Sequence, residues 1–181
     1  MTSRHKSSRT TNHFDLEFDV VVVGFGYAGG VTALEAARNG AKVLIVEKNS
    51  VPGGISVCSY GSLRCARDPE LAFQYLKETN GGRTPDDVIR VLADGMCEMT
   101  DYIRELAQAS GGTVGTTEDV GKGANYPLSG QDTFFHTTVS LPEFDARSTY
   151  PSANGAPGGA VTFKVVEDNL ARRDVRILLE A

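Results

Sequence analysis

The clearest pattern of apolar and polar residues lies near the start of the chain, between residues 18 and 47. Val20 to Val23 form a continuous β-branched apolar run, which is typical of a parallel strand buried on both faces. Residues 28–39 follow with apolar side chains at helical spacing, and residues 42–46 form a second apolar run. The order strand, helix, strand predicts a parallel sheet and a Rossmann-like α/β fold.

A glycine-rich turn joins the first predicted strand to the helix, in the pattern G-x-G-x-x-G. The first glycine permits a tight turn, the second lets a pyrophosphate approach the backbone, and the third lets the helix pack closely. The first helical turn offers free N–H groups and the positive end of the helix dipole to phosphate. The motif therefore indicates a dinucleotide site, with these predicted contacts: Gly24, Gly26, Tyr27, Ala28 and Gly29.

An acidic residue ends the second predicted strand. Glu47 lies about 20 residues beyond the glycine turn, where a carboxylate can accept hydrogen bonds from ribose hydroxyl groups. A carboxylate there disfavours a 2′-phosphate, which makes NADP a poor candidate. Glu47 and the adjacent Lys48 complete this half of the predicted site. The motif alone does not distinguish FAD from NAD.

The segment that follows, residues 49–62, is rich in glycine and serine, and Pro52 to Gly54 is a turn signal. Small side chains let main-chain groups reach a flat ligand, so the segment suits a cofactor loop. The alternative interpretation is a flexible surface loop.

The residues from Glu47 to Leu63 resemble the flavoprotein subunits of fumarate reductase and succinate dehydrogenase. That superfamily includes soluble fumarate reductases and 3-ketosteroid dehydrogenases. The resemblance rests on Glu47-Lys48, Gly53 to Ser56 and Gly61 to Leu63, and it implies contacts to FAD from Gly53, Gly54, Ser56 and Gly61. Ser62 stands where the family usually has a second glycine, and a backbone contact there is still expected.

The resemblance also bears on how the cofactor is held. Respiratory members attach FAD covalently through a histidine immediately before the Ser or Thr. Ile55 occupies that position here. The resemblance therefore implies non-covalent FAD.

The remaining elements are predicted with less detail. Two helices should span residues 68–80 and 84–109. The apolar residues of the second hold helical spacing, at Val88, Val91, Leu92, Met99, Ile103 and Leu106. Residues 113–159 are poorly patterned, apart from a possible strand at 132–140. It contains His136, which is either a general acid or base or an ordinary strand histidine. A helix at 160–173 and a strand at 175–179 resemble the family's return to the nucleotide sheet.

Composition limits the classes of function. The chain has 181 residues, 40% of them apolar and 23% charged, with a net charge of −5. That is enough for one domain with a core, and it favours neither a nucleic-acid nor a membrane partner. Three cysteines without a CxxC pattern indicate a reducing, cytoplasmic location, and the three histidines show no metal-ligand spacing. Residues 1–17 are expected to form a disordered basic tail.

The resemblance covers residues 18–181 but only the N-terminal part of the family. The family's substrate-capping domain and catalytic residues have no counterpart here, so the FAD-binding domain is expected to be truncated and no catalytic residue is assigned. The resemblance implies an oxidoreductase, or a subunit of one. It would transfer hydride between flavin N5 and a C–C bond beside a carbonyl of a small-molecule substrate.

Two alternatives to this function stay open: a non-catalytic FAD-binding partner subunit and an NAD-dependent dehydrogenase. A second polypeptide or a homodimer is expected to cover the apolar edge at Ile177, Leu178 and Leu179.

Overall fold

The computed structural model describes residues 14–117, 125–153 and 157–181. In chain order the elements are β1 (Val20–Val23), α1 (Tyr27–Arg38), β2 (Val43–Val46), a 3₁₀ helix (Gly54–Cys58), β3 (Leu63–Ala66), α2 (Pro69–Asn80), α3 (Asp86–Ala109), β4 (Thr113–Thr117), a 3₁₀ turn (Gln131–Thr133), β5 (Phe134–Ser140), α4 (Ala146–Thr149), α5 (Gly158–Leu170) and β6 (Val175–Leu178). The predicted α/β class is confirmed.

The parallel sheet has three strands in the order β1-β2-β6. Its register places Val22 beside Ile45, and Ile45 beside Ile177. Helices α1 and α5 both pack on the face that carries Val22 and Ile45, where Leu34 and Phe163 are completely buried. The predicted strands and helices of this βαβ arrangement are confirmed to within three residues at each end.

The opposite face of the sheet is open at β1, which corrects the expectation that β1 is buried on both faces. Val21 is 56% exposed and Val23 is 84% exposed. The physical reason is that α1 and α5 pack on the same face. In the described part of the chain, β1 also forms an edge, because it pairs with β2 alone.

A second, antiparallel sheet has the order β3-β5-β4 and was not predicted, apart from β5. Its strands pair Leu63 with Thr137 and Thr116 with the same Thr137. It packs against α3, whose Thr100 hydroxyl lies 2.8 Å from that of Thr137. Two pieces of the poorly patterned segment, residues 113–117 and 134–140, are therefore strands of this sheet.

Helix α2 begins as predicted, since the Asp68 carboxylate accepts the amides of Glu70 and Leu71 at 2.8 and 2.9 Å. Helix α3 differs from the expectation in its first half, whereas Ile103 and Leu106 of its second half are buried as expected. Val88, Val91 and Leu92 are 53–73% exposed, and they do not form the buried face. The buried residues of this half of α3 are Ile89, Ala93 and Met96, and the last two join the cluster around Tyr75 of α2. The helix is apolar on two sides, and α2 covers one of them.

Most of the predicted N-terminal tail, residues 1–13, falls outside the described residues, so its disorder stays a prediction. Within the described residues, no helix combines the length and the apolar character that a membrane span requires.

Candidate functional site

The glycine turn at the carboxyl end of β1 has the geometry that its sequence predicts. Gly24 has φ +96°, a left-handed conformation that favours glycine, and no atom lies within 4 Å of the position a Cβ would occupy. A Cβ on Gly29 would overlap the carbonyl oxygen of Gly24, so the helix approaches the turn as closely as expected. The turn therefore exposes its backbone to the space beyond the strand.

The first turn of α1 offers free amide donors to that space. The amide of Tyr27 donates to the Ser56 hydroxyl at 3.0 Å. The amides of Ala28 and Gly29 have no hydrogen-bond acceptor within the described residues. Unpaired N–H groups at a helix N-terminus bind anions, because they combine hydrogen-bond donors with the positive end of the dipole. The arrangement suits a pyrophosphate.

Glu47 lies at the end of β2 and is only 7% exposed. One carboxylate oxygen accepts the amide of Phe25 at 2.8 Å, and the other accepts the amide of Asn49 at 2.9 Å. These two hydrogen bonds hold the pKa of Glu47 below its ordinary value, and the bond from Phe25 has the larger effect. Desolvation by burial opposes this shift less strongly. The carboxylate is therefore ionised and fixes the two loops that carry Phe25 and Asn49.

The loop after β2 returns to the glycine turn. The amide of Gly53 donates to the carbonyl of Phe25 at 2.7 Å. The Ser56 hydroxyl would lie 3.0 Å from a Cβ on Gly26, so a side chain at Gly26 would crowd it. The predicted residues Gly24, Gly26, Glu47, Gly53 and Ser56 are thus brought together by direct contacts.

Two crevices border this junction. One has a volume of about 180 Å³ and lies at the carboxyl ends of β1 and β2, lined by Gly24, Glu47 and Lys48 among others. The other, of about 410 Å³, follows the loop and is lined by Pro52, Gly54 and Ile55 among others. Ligands of open parallel sheets bind outside the carboxyl ends of the strands, and the smaller crevice lies there.

The other predicted residues differ in their surroundings. Lys48, Gly54 and Ser62 are exposed, whereas Gly61 is buried. A Cβ on Gly61 would overlap the backbone of Gly158, so its missing side chain serves a close approach between two segments. A contact from Gly61 or Ser62 to a cofactor stays a prediction.

Sequence reasoning missed several residues that build the junction. Asn49 and Phe25 were not assigned, although their amides hold Glu47. The role of Gly159, whose carbonyl accepts the Tyr27 hydroxyl at 2.6 Å, was also missed. The Pro157-Gly158-Gly159 sequence was the available signal, because adjacent glycines permit backbone-to-backbone contact. His136 lies on β5, opposite Arg64, and takes no part in the contacts that join the glycine turn, Glu47 and the loop.

Comparison with known proteins agrees with this geometry. Residues 19–178 match the model of the FAD binding domain family. The chain therefore belongs to that family of flavin-dependent proteins, and FAD is its cofactor. The residues present fit this group, because the glycine turn leaves bare backbone and free amides where a pyrophosphate is expected.

Curated relatives include both steroid and fumarate enzymes. The chain is 30% identical over 101 residues to the 3-oxosteroid 1-dehydrogenase of Comamonas testosteroni. The aligned region covers 50% of this chain and 18% of the relative. It is 33% identical over 101 residues to the fumarate reductase (cytochrome) of Shewanella frigidimarina, covering 49% of this chain and 17% of the relative. The chain thus spans less than a fifth of either relative.

Solved structures share the fold. The 3-ketosteroid Δ1-dehydrogenase from Sterolibacterium denitrificans, in complex with 1,4-androstadiene-3,17-dione, matches with a TM-score of 0.71 and 18% identity. That match covers 90% of this chain and 40% of the solved one. The open conformation of a flavocytochrome c3 fumarate reductase matches with a TM-score of 0.61 and 18% identity, over 90% of this chain and 26% of that one.

Proposed function

We propose that this chain is the nucleotide-binding part of an FAD-dependent oxidoreductase that acts on a C–C bond beside a carbonyl group. The observation that carries the proposal is the junction of the glycine turn, Glu47 and the Gly53 to Ser56 loop. Bound FAD would supply hydride transfer at its N5 atom. The names of the relatives, steroid dehydrogenases and fumarate reductases, support this class of reaction.

Each part of the junction has a binding role in this proposal. The free amides of Ala28 and Gly29 hold the pyrophosphate. Glu47 accepts the adenosine ribose hydroxyls with the lone pairs that its two amide bonds leave open. The crevice beside Gly54 and Ile55 takes the flavin side. Ile55 has no group that could form a covalent bond to the flavin at that position, which supports non-covalent binding.

The proposal also includes a second polypeptide, because part of the sheet surface is apolar and open. Val21 and Val23, on the open face at the β1 edge, are 56% and 84% exposed. Strand β1 is entirely valine and has none of the charged residues or prolines that protect edge strands. A polypeptide that adds a strand and apolar side chains suits this surface. Light scattering that finds a monomer, together with a gel that shows no second chain, would count against it.

Two alternatives lead to different observations. A non-catalytic FAD-binding subunit would bind FAD but show no turnover of an enoate or a ketosteroid, even with its partner restored. An NAD-dependent dehydrogenase would bind NAD in preference to FAD, which the family match disfavours.

The three free cysteines support a reducing compartment such as the cytoplasm.

The deciding experiment is a titration of the purified chain with FAD, read by visible absorption before and after denaturation. We expect a flavin spectrum that denaturation releases as free FAD. Gly26→Val should abolish binding, because its side chain would crowd Ser56 and enter the space for the pyrophosphate. The matched control is Gly115→Val on β4, where a Cβ meets only an ordinary contact at 3.7 Å. Equal FAD affinity in the two variants would contradict the site assignment.

A further inference from the structure

A closed set of hydrogen bonds joins Tyr27 to two distant segments of the chain. The Tyr27 amide donates to the Ser56 hydroxyl at 3.0 Å, and the Tyr27 hydroxyl donates to the Gly159 carbonyl at 2.6 Å. Ser59 connects those two segments. Its amide and hydroxyl donate to the Ser56 carbonyl at 3.2 and 2.8 Å, and its own carbonyl accepts the Gly159 amide at 2.9 Å. These four residues form the Tyr27 hydrogen-bond cluster.

The segments in the Tyr27 hydrogen-bond cluster lie backbone against backbone. A Cβ on Gly159 would overlap the carbonyl oxygens of Ser56 and Ser59. A Cβ on Gly158 would overlap the carbonyl oxygen of Tyr60. The first turn of α5 therefore rests directly on residues 56–60, and the position of α5 sets the position of Ser56.

Tyr27 supplies a well-oriented neutral donor to this arrangement. Burial raises the pKa of its phenol above the ordinary value, so the hydroxyl stays protonated near neutral pH. Its ring lies beside that of Phe163 on α5, with 6.1 Å between the ring centroids. A single residue of the glycine turn thus contacts α5 through its side chain and Ser56 through its backbone.

We propose that Tyr27 is a positioning residue for the FAD site, which orders the segment carrying Ser56 before the cofactor binds. The proposal rests on the proposed function, since Ser56 is one of the predicted FAD contacts. The Ser56 hydroxyl accepts from Tyr27 and donates no hydrogen bond within the described residues, so its hydrogen is available to a phosphate oxygen. An ordered donor strengthens binding because less conformational entropy is lost when the cofactor binds.

The test compares Tyr27→Phe with Tyr150→Phe. The Tyr150 hydroxyl also makes one short bond to α5, at 2.6 Å to Glu167, and its ring also contacts Phe163, at 5.7 Å between centroids. Tyr150 takes no part in the Tyr27 hydrogen-bond cluster. The control therefore also removes a part-buried phenol hydrogen bond to α5, and it leaves residues 56–60 in place.

The first measurement is amide hydrogen exchange in the cofactor-free chain, at Ser59 and Gly159, with the Ile45 amide of β2 as the reference for global opening. We expect roughly tenfold faster exchange at Ser59 and Gly159 in Tyr27→Phe, relative to Ile45, as the loss of one hydrogen bond predicts. Tyr150→Phe should leave these relative rates within about twofold. Equal relative rates in the two variants would overturn the proposal.

The second measurement is FAD affinity by flavin fluorescence, together with the visible circular dichroism of the bound flavin. Tyr27→Phe should bind roughly tenfold more weakly than Tyr150→Phe and change the dichroism, which a general loss of stability would not do. Equal affinities and spectra would overturn the positioning role. A wild-type chain that takes up no FAD would refute the proposed function, and the exchange rates would still decide whether Tyr27 orders residues 56–60.

Discussion

Replacing Glu47 with alanine should destabilise the whole chain as well as weaken FAD binding. The Glu47 carboxylate accepts two backbone amides, and Phe25, which provides one of them, is 1% exposed. Water reaches the buried Phe25 less readily than the exposed Asn49. A hydrogen bond to a charged group contributes about 1.5–3 kcal/mol, and a buried unsatisfied donor costs a similar amount. We therefore expect the free energy of unfolding to fall by about 2–4 kcal/mol.

Thermal unfolding followed by circular dichroism measures this loss. For a chain of this length, each kcal/mol lowers the melting temperature by about 2–4 °C, so Glu47→Ala should melt about 5–15 °C below the wild type. Glu105→Ala is the control, because Glu105 makes one exposed ion pair with Arg38, with 67% of its side chain exposed. Such a pair contributes less than about 1 kcal/mol.

A melting temperature of Glu47→Ala that equals that of the control would refute the structural role of Glu47. The expected result also changes how FAD binding must be measured. Loss of the ribose hydrogen bonds should weaken binding by roughly 1–3 kcal/mol. That loss can be assigned to the ribose only at a temperature where Glu47→Ala is fully folded.

Two other predictions concern the ionisation of Glu47 and the close approach of Gly61 to Gly158. Because the folded-state pKa of Glu47 is lowered, its stabilisation is present above the unfolded pKa of about 4.3 and is lost as pH falls through the lower, folded value. Denaturant unfolding should show the difference between wild type and Glu47→Ala shrinking from neutral pH towards pH values near 3, and a constant difference would contradict an ionised Glu47. Gly61→Ala should cost about 2–4 kcal/mol, since Gly61 has φ +69° and a Cβ there would overlap the backbone of Gly158. Gly82→Ala, with φ +74° and open space, should lose only about 1 kcal/mol, and equal denaturant midpoints would refute the close approach.

The sequence predicted the nucleotide half of the fold because its physical requirements are local. A valine run, a glycine turn and an amphipathic helix are each encoded within a few residues. The second sheet was missed for the opposite reason. Strand β4 has the sequence TVGTT, which has little apolar alternation, and Thr113, Thr116 and Thr117 are exposed. Its position depends on pairing with β5, which no local pattern reveals.

The open face of α3 shows a related difficulty. Val88, Val91 and Leu92 repeat at helical spacing, and this pattern predicts a buried stripe. The same helix has a second stripe at Ile89, Ala93 and Met96, and α2 packs on that one. Periodicity identifies an apolar face, but tertiary contacts decide which of two such faces is covered.

The candidate site itself is only partly encoded by its motif. The bond from Phe25 to Glu47 spans 22 residues, the bond from Tyr27 to Ser56 spans 29, and the bond from Tyr27 to Gly159 spans 132. The glycine turn, which the sequence identified, supplies one partner of each bond. The other partners come from the end of β2, the following loop and the first turn of α5. The residues between 18 and 62 therefore contain all the predicted contacts to FAD, but the return of the chain through α5 holds them in place.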